Sequence, residues 1–264
     1  MHGTPENQEM MNPIHNTDKK DPVIEIKDVA KSFGENHVLN NFSLTVHKGE
    51  NVVVLGKSGS GKSVLIKCVV GLLEQDKGSI QILGNEITEL DQEELDNLRV
   101  RVGFLFQNSA LYDSMTVREN LEFPMRRHLS HLDKKESDSM VEEALENVGL
   151  LNSIDAMPAD LSGGMRKRIG LARTLILKPE IVLYDEPTTG LDPITGREIV
   201  ELMMDLQKKY NTSSIIISHD MQVAKTTANK VVILVEGKNY AEGTFDELRN
   251  NNDPKVKQFF ESMT

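Results

Sequence analysis

The 264-residue chain has no tryptophan, one cysteine and only 5% aromatic residues. A lone cysteine, Cys68, cannot close an internal disulfide, which agrees with a reducing compartment. Its setting between Val64 and Val70 is largely apolar and points to a packed helical thiol, not a reactive one. No run approaches the ~18 consecutive apolar residues that a bilayer-crossing helix needs. The first twenty residues are polar and hold no apolar stretch of the kind a secretory signal requires. These absences lead to the expectation of a soluble, unexported chain with no direct membrane insertion. Positive charge is scarce as well: 30 Lys and Arg against 41 Asp and Glu leave a net charge of −11. Nucleic acid and anionic lipid are polyanions, so this balance argues against direct binding to either. Two acidic stretches, Glu86–Asp96 and Asp133–Glu146, read as solvated helix faces.

Against that background the apolar residues are ordered. Residues 1–22 lack periodicity and read as a disordered tail. Val23–Val29, Phe42–Val46 and Ser79–Leu83 alternate as half-buried strands do. Val52–Leu55, Ile181–Tyr184 and Ser214–Ile217 are instead continuous β-branched runs, the pattern of strands covered on both faces. Val231–Val235, with Gly237-Lys238 and Tyr240-Ala241, suggests a late antiparallel hairpin. Between Gln107 and Asp160 the spacing becomes helical, through Val141, Ala144, Leu145, Val148 and Leu151. The expected fold is an α/β core with an antiparallel side sheet and an inserted helical subdomain at about 107–165. The expected domain runs from 23 to 244, followed by a C-terminal helical tail at 245–264.

Three motifs carry the chemistry. Gly56-Lys57-Ser58-Gly59-Ser60-Gly61-Lys62-Ser63 matches G-x-x-x-x-G-K-[ST] in full, after a buried strand and before an apolar helix. Its glycines let backbone N–H groups wrap a phosphate, Lys62 can neutralise the β and γ oxygens, and the Ser63 hydroxyl suits Mg²⁺. Ile181–Tyr184 ends in Asp185 and Glu186, one carboxylate to hold Mg²⁺ through its water shell and one to polarise an attacking water. Between them lies Leu161-Ser162-Gly163-Gly164-Met165, where Ser162 can cap a helix whose first N–H groups form an anion site.

In this order the three motifs resemble the ATP-binding cassette (ABC) ATPases, over nearly the whole chain from about Val23. The resemblance implies a P-loop core of the RecA type that binds and hydrolyses ATP with Mg²⁺. It implies that Phe33 stacks on adenine, Gln107 reaches the metal or the attacking water, and His219 touches the γ-phosphate. Asp192, in Gly190-Leu191-Asp192, would communicate across a dimer of two copies, with Ser162–Gly164 facing the nucleotide held by the other copy. The family norm has Gln where this chain has Met165; the phosphate contacts come from Ser162 and the backbone, so they should survive. The run Arg166-Lys167-Arg168 reads as a solvated helix face adding positive potential near ATP.

Phe104–Leu111, Leu161–Met165 and Asp253–Phe259 are further similar to the ATPases of Mla/Mce-type phospholipid transporters. That similarity implies a subunit held at the cytoplasmic face of the inner membrane by a separate permease. An ABC ATPase serving a scaffold or a cell-division complex is the alternative. Substrate, direction, and whether a small regulatory subunit docks on the helical arm stay open at this level.

Overall fold

The computed structural model describes residues 21–129 and 131–262. The chain opens in a long antiparallel ribbon, β1 (Pro22–Phe33) with β2 (Asn36–His47). Pro22 lies one residue inside the stretch read as a tail, yet it already pairs with His47. Proline has no N–H to donate, so the first position of a strand accommodates it; residues 1–20 lie outside the described part. Next come β3 (Asn51–Leu55), buried throughout, α1 (Lys62–Val69), β4 (Lys77–Ile82) and the short β5 (Asn85–Glu86). Strands β2-β1-β4-β5 form one antiparallel sheet.

The second sheet is the core. After α2 (Gln92–Val100) and β6 (Val102–Leu105), the chain leaves it for α3 (Val117–His128) and α4 (Lys134–Asn147). It returns through α5 (Gly163–Leu175) to β7 (Ile181–Asp185), α6 (Pro193–Tyr210) and β8 (Ser213–Ser218). Then follow α7 (Met221–Thr227) and the hairpin β9 (Lys230–Val235) and β10 (Lys238–Gly243), with α8 (Phe245–Arg249) and α9 (Pro254–Glu261) last. The strand order is β10-β9-β3-β8-β7-β6, parallel except at the β10 edge.

Alternation along the central strands divides the core in two. Val53 and Leu55 of β3 face the cluster built with α3 to α7 and the last two helices. Val52 and Val54 face the opposite cluster, shared by α1 and the antiparallel sheet. A parallel sheet buried on both faces needs continuous apolar strands, and β3 and β7 satisfy that with every residue buried. The arm is the α3–α4 pair, capped at both N-termini by reciprocal boxes, Thr116 with Glu119 and Asp133 with Glu136. Among the described residues no helix is long and apolar enough to cross a membrane.

Candidate functional site

Loops leave the C-terminal ends of β3, β7 and β8 on one side of the core sheet, where open α/β sheets place ligands. The loop after β3 is Gly56–Gly61. A β-carbon on Gly56 would sit 2.4 Å from Ser60 Oγ. Gly61 turns the chain into α1 with φ +101, and a β-carbon there would lie 2.8 Å from the Val38 carbonyl oxygen. Glycine is therefore required at position 61, where the backbone is left-handed and the clash is with a carbonyl, while a side chain at position 56 would have to displace the Ser60 hydroxyl. No side chain caps α1, and its first turn holds no acid, so its free N–H groups and dipole favour an anion. Ser60 Oγ is buried beside this loop without a hydrogen-bond partner. Lys57, Ser58 and Gly59 are exposed at the rim.

Lys62 is buried, with its ammonium donating to the Gly56 carbonyl at 2.7 Å and to that of Lys57 at 3.3 Å. Glu186 Oε1 lies 3.4 Å from the same nitrogen. The Ser63 hydroxyl donates to Asp185 Oδ1 at 3.3 Å. Burial pushes the Asp185 carboxyl above its ordinary range, opposed by the Ser63 hydrogen bond and by Lys67 and Lys62. A hydroxyl beside a carboxylate offers the hard oxygen donors that Mg²⁺ selects.

Glu186 is also buried, and its backbone is left-handed at φ +50, fixed by its N–H bond to the Ile217 carbonyl at 2.9 Å. That turn sends the carboxylate out of the strand line, toward β8. His219, just past β8, places Nδ1 2.8 Å from Glu186 Oε2, and the Thr189 hydroxyl reaches the same oxygen at 3.3 Å. Lys62, Ser63, Asp185, Glu186 and His219 thus form one bonded group across three strand ends.

The other expected residues are placed differently. Phe33 ends β1 with its ring half exposed, and the Lys31 ammonium is 5.7 Å from the ring centroid. Ser162 caps α5, its hydroxyl accepting from the Met165 N–H at 3.2 Å, and is exposed together with Gly163. A β-carbon on Gly164 would meet Thr195 Cγ2 at 2.6 Å, so the start of α5 lies against the start of α6. Asp192 caps α6 through the N–H groups of Ile194 and Thr195, and the Thr195 hydroxyl and these N–H bonds hold its carboxyl below the usual range. Among the described residues no hydrogen bond or ion pair joins Ser162–Gly164 or Asp192 to the Gly56–Ser63 loop.

A profile of the family described as "ABC transporter" matches residues 39–189. The chain belongs to the ABC transporter family. Its cassette is 40% identical over 238 residues to the "probable ribonucleotide transport ATP-binding protein mkl" of Mycobacterium leprae (strain TN), spanning 89% of this chain and 68% of that one. It is 38% identical over 244 residues to the "methionine import ATP-binding protein MetN" of Brucella abortus (strain 2308), spanning 92% and 66%. The chain therefore covers about two thirds of these relatives' length. Among solved structures, the dimeric post-hydrolysis state of the ATP-binding cassette MJ0796, bound to ADP and Pi, superposes with a TM-score of 0.77 at 30% identity, covering 84% of this chain and 98% of that one. CbiO1 of Clostridium perfringens, part of the cbiONQ complex, superposes with a TM-score of 0.80 at 26% identity, covering 92% and 100%. The cassette is an ATPase of this family, with the expected P-loop α/β fold.

One expectation is corrected in this ABC cassette. The basic run after Met165 is a solvated face only in part: Arg166 is exposed, Arg168 is half-buried and Lys167 is buried. Arg166 donates to the Leu161 carbonyl at 2.9 Å, and Arg168 pairs with Glu198 at 2.9 Å. Lys167 is buried, and its ammonium donates to the Gln107 carbonyl. Burial pushes that ammonium down to about 8, against the pull of Asp185 and Glu186. Gln107 is exposed, and among the described residues no hydrogen bond joins it to the group at the strand ends; Lys167 holds its backbone carbonyl. Lys167 shares the buried stripe of Leu171 and Leu175, four and eight residues on. That spacing was the signal for its burial. Asn120 was missed in the same way: it sits on the stripe of Val117, Leu121 and Met125 with no exposed surface.

Proposed function

We propose that the chain is the ATP-hydrolysing subunit of a phospholipid transporter, working as a dimer on a separate membrane permease. The observation that carries the dimeric ATPase part of this reading is the split of the site. Lys62, Ser63, Asp185, Glu186 and His219 converge at the strand ends, while Ser162 stands exposed and unattached to them. A helix N-terminus displaying Ser162 and glycine N–H groups has the chemistry to meet a phosphate, and a second copy supplies one. In that arrangement Lys62 and the loop N–H groups bind the β and γ phosphates, and Phe33 stacks on the base. Ser63, Asp185 and Gln107 are the residues that would hold Mg²⁺, which would supply charge neutralisation on the phosphate oxygens. Glu186 takes the proton of the attacking water, and His219, bonded to the carboxylate, orients it. Asp192 stiffens the segment that faces the second copy.

The permease partner is supported by the names of relatives that serve transport and by the cbiONQ complex. The arm offers a docking surface: Tyr112 and Phe123 are exposed large aromatics with centroids 4.7 Å apart, and Glu142 and Glu146 are exposed on α4. A coupling segment with an apolar centre and Lys or Arg at its edge complements that surface. Such a subunit sits at the cytoplasmic face of the inner membrane. A small regulatory subunit on the arm is compatible with the same exposed face. The phospholipid assignment rests on the stretches 104–111, 161–165 and 253–259.

Affinity purification of the full chain from its own membranes tests both parts. A polytopic partner carrying bound phospholipid is the expected result, with envelope lipid asymmetry disturbed when the gene is deleted. A partner with no membrane span would defeat the transporter reading, and a permease that transports an amino acid or nucleotide would defeat the lipid assignment alone.

A further inference from the structure

One face of α5 is bonded along its length to the segment that carries Gln107. Lys167, 3% exposed, donates to the Gln107 carbonyl. At Gly170 the helix comes so near that a β-carbon would lie 2.9 Å from Ser109 Cβ and 3.1 Å from Leu105 Cδ1. Arg173 donates to the carbonyls of Ser109 and Ala110, both at 2.8 Å, and Thr174 packs so close to the strand before Gln107 that a β-carbon on Gly103 would lie 2.9 Å from the Thr174 carbonyl oxygen. Positions 167, 170, 173 and 174 lie on one side of a helix. Gly170, Arg173 and Thr174 therefore clamp the chain on either side of Gln107, while Lys167 holds Gln107 itself.

The other end of the same helix is Ser162, five residues away, or about 7.5 Å along the axis. In the shared-site reading proposed above, Gln107 serves the nucleotide of its own subunit and Ser162 that of the second copy. We infer that Lys167 is a positioning residue that links the two ATP sites of the dimer, by fixing Gln107 to the helix whose first turn closes the other site. The inference rests on that reading. A displacement of Gln107 by its own nucleotide is carried by the Lys167 bond to α5 and so to Ser162, and the coupling acts equally in reverse. Water has little access to compete for the carbonyl, because the ammonium is buried. The carboxylates Asp185 and Glu186 attract the same charge.

The test is the ATP dependence of hydrolysis by the full chain, for wild type, Lys167→Met and Lys167→Arg. Wild type should be sigmoidal, with a Hill coefficient approaching two. Lys167→Met should bring the coefficient to one and lower kcat by about tenfold or more. ATP affinity of the isolated subunit, from equilibrium dialysis, should stay within about twofold, because Lys167 touches no phosphate-binding group. Lys167→Arg keeps charge and donors on a stem of similar length and should recover cooperativity. Wild-type cooperativity in Lys167→Met overturns the inference alone; so does equal loss in the Arg variant. If the Met variant does not fold, Lys167→Ala decides, since it leaves no donor for the Gln107 carbonyl: cooperativity retained overturns the link, and cooperativity lost with ATP affinity kept supports it. A wild-type Hill coefficient of one overturns the shared-site reading, and the inference with it.

Discussion

Lys62 is a buried ammonium with two loop carbonyls and one carboxylate within 3.4 Å. Lys62→Ala removes the charge that the β and γ phosphates need, and should cut hydrolysis by about a hundredfold or more. A steady-state ATPase assay with a thermal melt alongside separates this from misfolding, and near-normal turnover would remove the P-loop assignment. Cys68 gives a prediction of a different kind. Burial, with the Asp76 carboxylate adding to it, pushes the thiol up to about 11, against the attraction of Lys31. A raised thiol stays protonated to higher pH, so at pH 8 only about one in a thousand is thiolate in the folded chain. Iodoacetamide at pH 8 should therefore label Cys68 rapidly in urea and barely at all in native protein. Rapid labelling of the native chain would show that the α1 face is not packed as described. The Val64–Val70 setting already predicts that inertness. The left-handed Glu186 was not legible in the same way, because nothing in Asp185-Glu186-Pro187 reports the bond to the Ile217 carbonyl that holds it.

Among the elements, the core strands were legible because each pattern has one physical meaning. Continuous β-branched runs such as Val52–Leu55 have no polar face to expose, so they lie between two layers. The segment after β6 was not legible. Ser109 and Ala110 both have positive φ, +59 and +48, without a glycine to announce it. Their conformation is imposed from outside by Arg173, which holds both carbonyls, and by Asn120, whose side-chain amide accepts from the Tyr112 N–H and donates to the carbonyls of Tyr112, Met115 and Thr116. Local propensity cannot report a bond to a residue sixty positions away. Asn120→Ala should thus cost about 3 kcal/mol, from several buried backbone groups left unpaired. For a chain of this size that lowers Tm by roughly 6–10 °C in calorimetry. An unchanged Tm would mean that the loop is held by other contacts.

On the scale of the whole molecule, the proposed reading makes the cassette half of two active sites. Among the described residues no hydrogen bond or ion pair joins its P-loop group to its Ser162 end, and the arm lies between them in sequence. Sequence motifs marked the residues of both proposed halves, yet a single chain cannot display how they meet, because in that reading the contact is made with another copy. Mixing Ser162→Arg subunits with Lys62→Ala subunits should restore partial hydrolysis, because one of the two composite sites then carries neither lesion. Homodimers of either variant should hydrolyse almost nothing, and mixed activity no greater than theirs would count against independent shared sites.

The central claim, that ATP joins two cassettes through this site, is tested most directly with Glu186→Gln. The substitution keeps size and hydrogen bonding but removes the base, so nucleotide should bind and remain unhydrolysed. Light scattering of that variant with Mg-ATP should show twice the 29.6 kDa of one chain. The same variant should run as a single chain with ADP, and also with ATP when Ser162→Arg is added. A Glu186→Gln chain that binds ATP and stays at the mass of one subunit, or that hydrolyses it at the wild-type rate, would contradict the account.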